Sequence, residues 1–553
     1  MADRAVVVSG HMVDAPNRSR PRFPPHQVPR VSAAIHSAFD AWKIGSGMTL
    51  ITGAARGADL IAAEQALERS ARVLVVLALP QEEFERRSVA LPNTDWVERF
   101  RAVLDRSEIE VLDGPHDDSA FGRANARMIQ IARGLDERPY ALVVWNGQEG
   151  DGPGGTRDFV QRLGYTDPDE HVCVIDPTPR EYEARQQPAT PKKLLALDGG
   201  GIRGVLSLEI LAALESRLGA HYGRDVKLAD YFDYIGGTST GAIIAAGLAF
   251  GKSIAEIRQQ YERLGTKIFR KRFLPLRARS FYRDKPLTDE LDSFFGPGRT
   301  LGDPELKTLL LLVLHNSNTD SPWPLSNCTN AKYNRADRYL KSPPDRNLDL
   351  SLTTLIRGST AAPVYFPPQE IQIGAQKFTF EDGGVTPFNN PAMLMFLMST
   401  LPEYGLEWPA GEDNLLVVSV GTGSSAAVHP NLLARQVNVL FEAKNLPSVF
   451  MNGASTGQDL MCRAIGRTRA GNPIDLEVED RIGKPGVAGS AFTYLRYNAD
   501  LSAKALASAG ITDPANQAEL RKLDAIGSMS QLQELGRRVG ATIDLEREFD
   551  GFL

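Results

Sequence analysis

The chain has 553 residues, of which 42% are hydrophobic and 24% charged, and its formal net charge is −6. This length exceeds what one hydrophobic core usually organises, so we expect at least two domains. The acidic balance argues against a nucleic-acid partner, since phosphate backbones are bound by basic surfaces. The three cysteines, Cys173, Cys328 and Cys462, are too few for a disulfide framework or a cysteine-rich zinc site.

Residues 1–30 contain no apolar core segment, and no run of eighteen apolar residues occurs in the chain. We therefore expect neither a secretory signal nor a membrane span. With cysteine usage that fits a reducing compartment, the prediction is a cytoplasmic protein whose contact with lipid, if any, is peripheral.

In residues 1–180, short apolar runs at 6–8, 48–52, 73–79, 141–145 and 172–175 alternate with helical segments. This rhythm predicts a doubly wound parallel sheet. Glycine-containing turns follow three of the strands, and turns at the carboxyl ends of parallel strands are where such sheets bind ligands, with helix N-termini that favour phosphate. They predict a nucleotide pocket, although such turns also serve simply to connect strand and helix. The candidate contacts are Ser9, Gly10, Gly53, Ala54, Arg56, Asp59, Gly154, Gly155 and Thr156.

Residues 181–191 are polar, proline-containing and without strand character, which predicts a linker. A second α/β series begins at residue 192, with apolar runs at 194–197, 309–314 and 415–420. From residue 501 onward the spacing is helical. We therefore predict a front domain at 1–180 and a second α/β domain with a helical tail at 192–553.

The segment 198–204 (DGGGIRG) follows a predicted strand and precedes a predicted helix, 205–218. Such a loop can gather backbone N–H groups around a developing oxyanion, and glycines leave those groups open to a substrate. The same residues also satisfy the dinucleotide fingerprint GxGxxG. No second strand ends in an acidic residue at the distance that fingerprint requires, so the oxyanion hole is the favoured interpretation. Its candidate residues are Gly199, Gly200, Gly201, Ile202 and Arg203.

Residues 237–241 (GTSTG) lie between a predicted strand and a predicted helix, a context that makes Ser239 a candidate nucleophile on a strand-to-helix elbow. Asp382, predicted at the end of a strand and followed by two glycines, is the candidate base, although Asp-Gly is also a common turn. A histidine base would have to be His315 or His429, and His429 lies in a Ser/Ala-rich loop before Pro430. An ordinary aspartate is a weak base, so the hypothesis requires that burial raise the pKa of Asp382.

DGGGIRG, GTSTG and the DGG at 382–384 occur in the order of the three signatures of patatin-like phospholipases, and residues 192–497 resemble that family. The resemblance implies a three-layer α/β hydrolase with a Ser239–Asp382 dyad and an oxyanion hole from the 199–203 backbone. It also implies hydrolysis of a membrane glycerophospholipid through an acyl-enzyme, with no metal or cofactor.

Residues 52–59 and 153–156 resemble the SLOG family of Rossmann-like nucleotide-binding domains, over about residues 4–177. Attached to effectors, SLOG domains resemble receptors for nucleotide second messengers, and patatin-like lipases occur as effectors of bacterial anti-phage signalling. The resemblances together imply a phospholipase switched on by a nucleotide, with self-association on activation as one route. Two alternatives stay open: a constitutive acyl hydrolase whose front domain serves assembly, or a nucleotide-binding protein with an inactive hydrolase half.

The segment Lys267 to Arg283 carries seven basic and four aromatic residues and no acid. Basic residues favour an anionic membrane surface and aromatics its interface. Packing of the aromatics inward, with the arginines facing water, is an equally good interpretation.

Overall fold

A computed structural model describes residues 4–16, 18, 21–117, 119–146, 155–164, 171–268, 285–334, 346–424, 439–487 and 489–553. The described chain divides into two compact units, unit 1 up to Pro179 and unit 2 from Arg180 onward.

Unit 1 alternates strands and helices as the sequence predicts. Its elements are β1 (Arg4–Gly10), α1 (Val28–Trp42), β2 (Met48–Thr52), α2 (Ala58–Glu68), β3 (Arg72–Leu77), α3 (Gln81–Phe84), α4 (Trp96–Leu104), β4 (Glu108–Val111), α5 (Ser119–Leu135), β5 (Tyr140–Val144), α6 (Thr156–Leu163) and β6 (Val172–Ile175).

The six strands of unit 1 form one parallel sheet in the order β4-β3-β2-β1-β5-β6. The central strands are fully buried because they are continuous apolar runs, typical of a sheet covered on both faces. Strand order reverses at β1, which has β2 on one side and β5 on the other. The predicted parallel α/β architecture is therefore confirmed, and its ligand-binding crevice is expected beyond the carboxyl ends of β1 and β5.

Unit 2 begins with α7 (Glu181–Arg185) and is larger. Its further elements are β7 (Lys192–Leu197), α8 (Gly204–Tyr222), α9 (Leu228–Tyr231), β8 (Tyr234–Thr238), α10 (Thr240–Ala249), α11 (Ile254–Ile268), α12 (Lys285–Phe295), β9 (Leu309–Asn316), β10 (Ser321–Ser326), α13 (Leu352–Ser359), β11 (Gln369–Ile373), β12 (Gln376–Asp382), α14 (Ala392–Thr400), β13 (Leu415–Val420), α15 (Val439–Ile465), β14 (Arg467–Ala470), β15 (Thr493–Tyr497), α16 (Ala503–Ser508), α17 (Pro514–Leu520), α18 (Met529–Ala541) and α19 (Leu545–Glu548).

The sheet of unit 2 has nine strands in the order β11-β12-β9-β8-β7-β13-β15-β14, with β10 paired beside β9. Strands β7, β8, β9, β13, β14 and β15 run parallel. Strands β10 and β12 are antiparallel to β9, and β11 is antiparallel to β12. The leucine-rich β9 and the apolar β7 and β13 lie at the centre of the core. The predicted α/β unit is confirmed as a mixed sheet with packed helices.

The helical tail is also confirmed, and it is part of the core rather than an appendage. Helix α18 packs against α8, and Leu532 of α18 is fully buried. The Tyr231 hydroxyl donates to the backbone oxygen of Phe552, the residue before the last one of the sequence. The tail therefore supports the helix that follows the 198–204 loop.

The segment 181–191 differs from the predicted linker. Residues Glu181–Arg185 form α7, and Tyr182 is fully buried in the core of unit 2. Besides Tyr182, Gln186 holds the segment to unit 2, since it accepts hydrogen bonds from Thr329 and Trp408. The polar composition of the segment did not reveal these contacts. The function of residues 1–180 as a separate sensor domain stays a prediction.

No helix in the described part of the chain is long and apolar enough to cross a membrane. Apart from its first two residues, the basic segment Lys267 to Arg283 lies outside the described residues, as does His429.

Candidate active site

The two glycine motifs follow neighbouring parallel strands of unit 2. Strand β7 ends at Leu197 and β8 at Thr238, and Leu197 pairs with Gly237. Because the carboxyl ends of parallel strands lie at the same edge of a sheet, the loop at 198–204 (the glycine loop) and Ser239 are brought side by side. The helices α8 and α10 begin directly after them.

Ser239 occupies a strained backbone conformation at the start of α10. Its φ is +55° and its ψ is −127°, a region that residues other than glycine rarely adopt. A side chain at Gly241 would place its Cβ 2.4 Å from the carbonyl oxygen of Leu197, so only glycine permits this tight turn. The Ser239 N–H donates to the Ser359 hydroxyl over 3.0 Å. The turn is the elbow that the sequence predicts.

Asp382 is the last residue of β12, as predicted, and its carboxylate meets Ser239 although 143 positions separate the two residues. The Ser239 hydroxyl donates to Asp382 Oδ2 over 2.6 Å, and the Gly384 N–H donates to Oδ1 over 2.7 Å. Both side chains are almost completely buried. Burial raises the pKa of Asp382 to about 7, against the opposing influence of Ser239, Gly384 and Arg357.

The neighbouring acid and the nearest histidine point elsewhere. Glu381 lies on the other face of β12, where its Oε2 is 3.6 Å from Nδ1 of His315. The Nε2 of the same ring is 3.3 Å from Asp320 Oδ1. In the part of the chain that the structure describes, therefore, Ser239 contacts a carboxylate and no imidazole.

Four of the five residues predicted for an oxyanion hole use their backbone N–H groups within the protein. Gly199 donates to Asn389 O, Gly200 to the Thr240 hydroxyl, Ile202 to Leu523 O and Arg203 to Gly200 O. Of these five N–H groups, that of Gly201 alone has no acceptor among the described residues. Gly201 lines the same cavity as Ser239. The geometry therefore leaves the Gly201 N–H as the available oxyanion donor. The neighbouring Gly200 N–H donates to the Thr240 hydroxyl over 3.2 Å.

The position of Gly201 is fixed by the C-terminal tail and by α11. Its φ is +61°, and a Cβ there would lie 2.2 Å from the carbonyl oxygen of Leu523. The Tyr261 hydroxyl donates to Gly201 O, and the Leu523 carbonyl accepts the Ile202 N–H over 2.8 Å. Sequence reasoning attributed the glycines to substrate access; the structure shows that close packing also requires one of them.

A buried ion pair holds the first residue of the glycine loop. Arg496 of β15 donates to both oxygens of Asp198, over 2.8 and 2.7 Å, and both side chains are 4% exposed. The Ser455 hydroxyl donates to Asp198 Oδ2 over 3.2 Å. Arg203, in contrast, donates to the backbone oxygens of Gly423 and Gly200, so its guanidinium supports the loop from within. Burial lowers the pKa of Arg203 to about 10.

Arg496, Ser359 and Tyr261 are site residues that sequence reasoning missed. Each comes from a segment outside the glycine motifs and touches the site only through folding. The charged Arg496 within the short strand β15 was a usable signal, because a strand buried on both faces carries a charge only where a partner is present.

Ser239, Asp382 and Gly201 line a small cavity of about 60 Å³, here called the serine cavity. Its remaining wall is mostly apolar and includes Ile202, Ile243, Leu287, Phe366, Met451 and Leu523. A reactive hydroxyl beside an apolar wall suits an ester whose acyl part is hydrocarbon. No cluster of His, Cys, Asp or Glu that could hold a metal is found among the described residues.

Unit 1 has its own cavity of about 350 Å³, at the carboxyl ends of β1 and β2. The structure brings six of the nine predicted contacts to its wall: Ser9, Gly10, Gly53, Asp59, Gly155 and Thr156. Ala54 is fully buried and not part of the wall. Arg56 is not part of this wall, and its Nε donates to Val13 O over 3.0 Å, so a ligand contact by Arg56 stays a prediction. Gly154 lies outside the described residues.

Besides Asp59, three charged or titratable residues line the unit 1 cavity: His11, Arg22 and Arg87. The sequence analysis did not predict them. Burial raises the pKa of Asp59 to about 7, opposed by N–H groups of Ala55, Gly10 and Gly53. Burial also lowers the pKa of His11, whose Nε2 is 2.9 Å from Asn146 Oδ1.

Comparison with known proteins finds one family description, Patatin-like phospholipase, matching residues 195–396. A cGAMP-activated phospholipase from Vibrio cholerae serotype O1 is 30% identical over 272 residues, 47% of this chain and 71% of that protein. A cGAMP-activated phospholipase from Escherichia coli is 29% identical over 251 residues, 44% of this chain and 66% of that protein. The intracellular phospholipase A2 of Caenorhabditis elegans is 31% identical over 276 residues, 48% of this chain and 23% of that protein.

Proposed function

We propose that this chain, which belongs to the patatin-like phospholipase family, hydrolyses an acyl ester bond of a membrane glycerophospholipid with Ser239 as nucleophile and Asp382 as base. The observation that carries the proposal is the 2.6 Å hydrogen bond from the Ser239 hydroxyl to a buried carboxylate. The names of the relatives, all phospholipases, support the substrate class.

In the proposed reaction the Ser239 oxygen attacks the ester carbonyl carbon while its proton passes to Asp382 Oδ2. The tetrahedral intermediate then collapses, the carbon–oxygen bond to the glycerol breaks, and the leaving oxygen takes the proton from Asp382. An acyl-serine remains. Water attacks it with the same carboxylate as base, which releases the fatty acid and restores Ser239.

The negative oxygen of the tetrahedral intermediate needs donors that are already in place. The Gly201 N–H is free among the described residues, and the Gly200 N–H needs only to exchange the Thr240 hydroxyl for the substrate oxygen. Removal of one such donor typically costs about 2.7–4 kcal/mol of transition-state stabilisation. The buried Asp198–Arg496 pair and the Tyr261 hydroxyl keep this loop in position.

The first test is fatty-acid release from mixed phospholipid vesicles by the full chain and two variants. Asp382→Asn removes the base, and we expect a loss of at least about 100-fold. Glu381→Gln is the matched control, because Glu381 neighbours Asp382 on β12 but faces His315. Wild-type turnover in Asp382→Asn would contradict the dyad.

We further propose that a nucleotide second messenger bound by unit 1 switches the hydrolase on. The unit 1 cavity lies where strand order reverses, and Arg22, Arg87 and the N-terminus of α2 suit phosphate groups. The Asp59 carboxylate suits a hydroxyl or a base N–H. The names of two relatives, which specify activation by cGAMP, make cyclic dinucleotides the first ligands to examine.

The test is nucleotide-stimulated fatty-acid release by Arg87→Gln, with Arg86→Gln as the control. The two arginines are adjacent and both exposed, but only Arg87 lines the cavity. We expect Arg87→Gln to need a higher nucleotide concentration and Arg86→Gln to respond as the wild type. If no nucleotide alters the wild-type rate, the constitutive alternative holds.

We propose that this hydrolysis takes place peripherally at the inner membrane surface and serves defence against phage. We expect bacteria that produce the wild-type chain to survive phage challenge better than bacteria that produce Ser239→Ala. Equal survival at equal protein levels would remove the defence role and leave the hydrolase proposal intact.

A further inference from the structure

Unit 2 contains a third cavity, which is larger than the other two and separate from the site already described. Its volume is about 780 Å³, and it lies at the carboxyl ends of β14 and β15, with α16, α18 and α19 contributing to its wall. No residue lines both this cavity and the serine cavity. We call it the arginine cavity, after the five arginines in its wall: Arg467, Arg469, Arg496, Arg538 and Arg547.

The arginine cavity is basic in a chain whose net charge is −6. Its wall includes only two acids, Asp500 and Glu548. Four of the arginines have carboxylate partners: Glu412 for Arg467, Asp198 for Arg496, Glu534 for Arg538 and Glu548 for Arg547. These ion pairs balance four of the five positive charges, so the attraction of the cavity for an anionic ligand depends on Arg469.

Arg469 is the exception among the five, because its charge is not neutralised by a carboxylate. Its Nη1 donates only to the backbone oxygens of Glu548, over 3.4 Å, and of Asp550, over 2.6 Å. Within the described ranges no ion pair involves Arg469. Neighbouring Thr468 is fully buried on the other face of β14, so the guanidinium of Arg469 is the group available to a ligand. A phosphate group is a ligand that pairs well with a guanidinium.

The wall of the arginine cavity is connected to the glycine loop by two direct contacts. Arg496 lines the cavity and holds Asp198, the first residue of the loop, through two hydrogen bonds. Asn498 also lines the cavity, and its Oδ1 accepts the Gly423 N–H over 2.7 Å, while Gly423 O accepts a hydrogen bond from Arg203. A ligand that moved β15 would therefore act on both ends of the loop that carries Gly201.

We propose that the arginine cavity binds a phosphate-bearing small molecule and that the Arg496–Asp198 pair transmits its occupancy to the glycine loop. The activation of hydrolysis in this inference rests on the proposed function, whereas the binding of the ligand does not. A cavity of about 780 Å³ is within the range that holds a whole nucleotide.

The sizes of the relatives favour a nucleotide as the ligand. The 272 matched residues are 71% of the Vibrio cholerae protein, which is therefore about 380 residues long, close to the length of unit 2 alone. A protein of that length has no room for counterparts of both units. cGAMP is therefore the first nucleotide to test on the arginine cavity as well as on the unit 1 cavity.

The experiment measures binding calorimetrically to the full chain carrying Ser239→Ala, so that hydrolysis plays no part. The probes are cGAMP, sn-glycerol 3-phosphate as a lipid headgroup, and inorganic phosphate. Arg469→Gln and Arg538→Gln remove cavity arginines. Arg537→Gln is the matched control, because Arg537 and Arg538 are neighbours on α18, both pair with Glu534 and both are half exposed, but only Arg538 lines the cavity.

We expect cGAMP to bind and each cavity variant to weaken its binding about tenfold or more, the effect of losing a charge-assisted hydrogen bond, with Arg537→Gln unchanged. Binding of sn-glycerol 3-phosphate alone, lost in the same variants, would support the phosphate site with a lipid headgroup as its source. If no probe binds, or if binding survives both cavity variants, the proposal is overturned. Arg469 also donates to the C-terminal backbone, so its substitution can disturb the local structure. The Arg538→Gln variant tests the cavity without this effect.

With Ser239 intact, the same cavity variants test transmission. We expect their basal fatty-acid release to match the wild type and their stimulation by cGAMP to fall in proportion to binding. Stimulation that is normal in both would contradict transmission from this cavity. Loss of stimulation in Arg87→Gln alone would assign it to unit 1 instead.

Discussion

At the scale of single residues, the surroundings of Asp382 turn an ordinarily weak base into one matched to neutral pH. Burial raises its pKa to about 7, and the Ser239 hydroxyl lies 2.6 Å from its Oδ2. General-base catalysis is most effective when the pKa of the base is near the operating pH. The hydrolytic role proposed for Ser239 therefore depends on the desolvated position of this carboxylate.

The first prediction concerns the pH profile. Only the ionised carboxylate can accept the serine proton, so kcat/KM should rise with pH and level off above an apparent pKa near 7. The measurement is the initial rate of fatty-acid release on a short-chain phospholipid from pH 5 to pH 9. A profile that is flat down to about pH 5 would show that Asp382 titrates as an ordinary aspartate.

The second prediction concerns stability. Because the folded state holds the Asp382 proton more tightly than the unfolded chain does, this group's contribution to stability is lost as the pH rises from about 4 to about 7 and is constant above that range. Asp382→Asn removes the buried charge and keeps the shape. In thermal unfolding, the variant should gain more stability over the wild type at pH 8 than at pH 5. A larger gain at pH 5 would reverse the sign and refute the argument.

The third prediction concerns the strained backbone of Ser239. Ser239→Ala and Ser239→Gly both remove the hydroxyl, but only glycine adopts a φ of +55° with this ψ at low cost. Ser239→Gly should be more stable than Ser239→Ala by about 1 kcal/mol or more. Denaturant unfolding of the two variants measures this difference directly. Equal stabilities would mean that the elbow is not strained.

At this scale, sequence patterns led to Ser239, Asp382 and the glycine loop because each is part of a contiguous motif. Arg496 and Leu523 were not predicted, because they reach the glycine loop from segments that lie far along the chain and have no motif of their own. Arg56 stays a prediction, because a guanidinium after a glycine turn can bond a nearby carbonyl, here Val13 O, as readily as a ligand.

At the scale of elements, the glycine loop joins a strand, a helix and the C-terminal tail. The Leu523 carbonyl accepts the Ile202 N–H and touches Gly201, while α18 packs against α8. A change in the tail is thus expected to act on the oxyanion donors. Helical spacing predicted the tail but gave no sign of this contact.

The fourth prediction belongs to this loop. Gly201→Ala adds a Cβ 2.2 Å from the Leu523 carbonyl oxygen at a φ of +61°, so the loop must move away from the tail. We expect a loss in kcat of about 100-fold or more, as for a missing oxyanion donor. Gly457→Ala, at an α15 position with open space, is the control and should leave kcat unchanged. A fully active Gly201→Ala would contradict the role of this N–H.

Apolar strands were predictable and charged ones were not. The runs that form β2, β6 and β13 were located to the residue because they are continuous and apolar, although β6 is a partly exposed edge strand. Strand β4 was missed since it is a sheet edge with two glutamates that pair with arginines, and β15 was missed since Arg496 interrupts its apolar pattern. In each case a partner elsewhere in the chain, invisible to a local pattern, makes the charge tolerable.

At the scale of the whole molecule, the two units have separate cores, and their division between sensing and hydrolysis is part of the proposal. The unit 1 cavity and the arginine cavity are two candidate ligand sites, and the wall of the arginine cavity contacts the glycine loop through Arg496. A ligand activates by favouring one arrangement over another, so its effect is bounded by its differential affinity for the two. Sequence resemblance supplied the idea of a sensor, but not the cavity in unit 2.

The central claim is that Ser239 is the nucleophile and Asp382 its base. Its most direct test is the labelling rate of the full chain by a fluorophosphonate, which forms a phosphorus–oxygen bond with an activated serine and releases fluoride, followed by mass mapping of the peptides. We predict one adduct on Ser239, formed at least about 100-fold more slowly in Asp382→Asn and at the wild-type rate in Glu381→Gln. An adduct on another residue, or unchanged labelling of Ser239 in Asp382→Asn, would contradict the account.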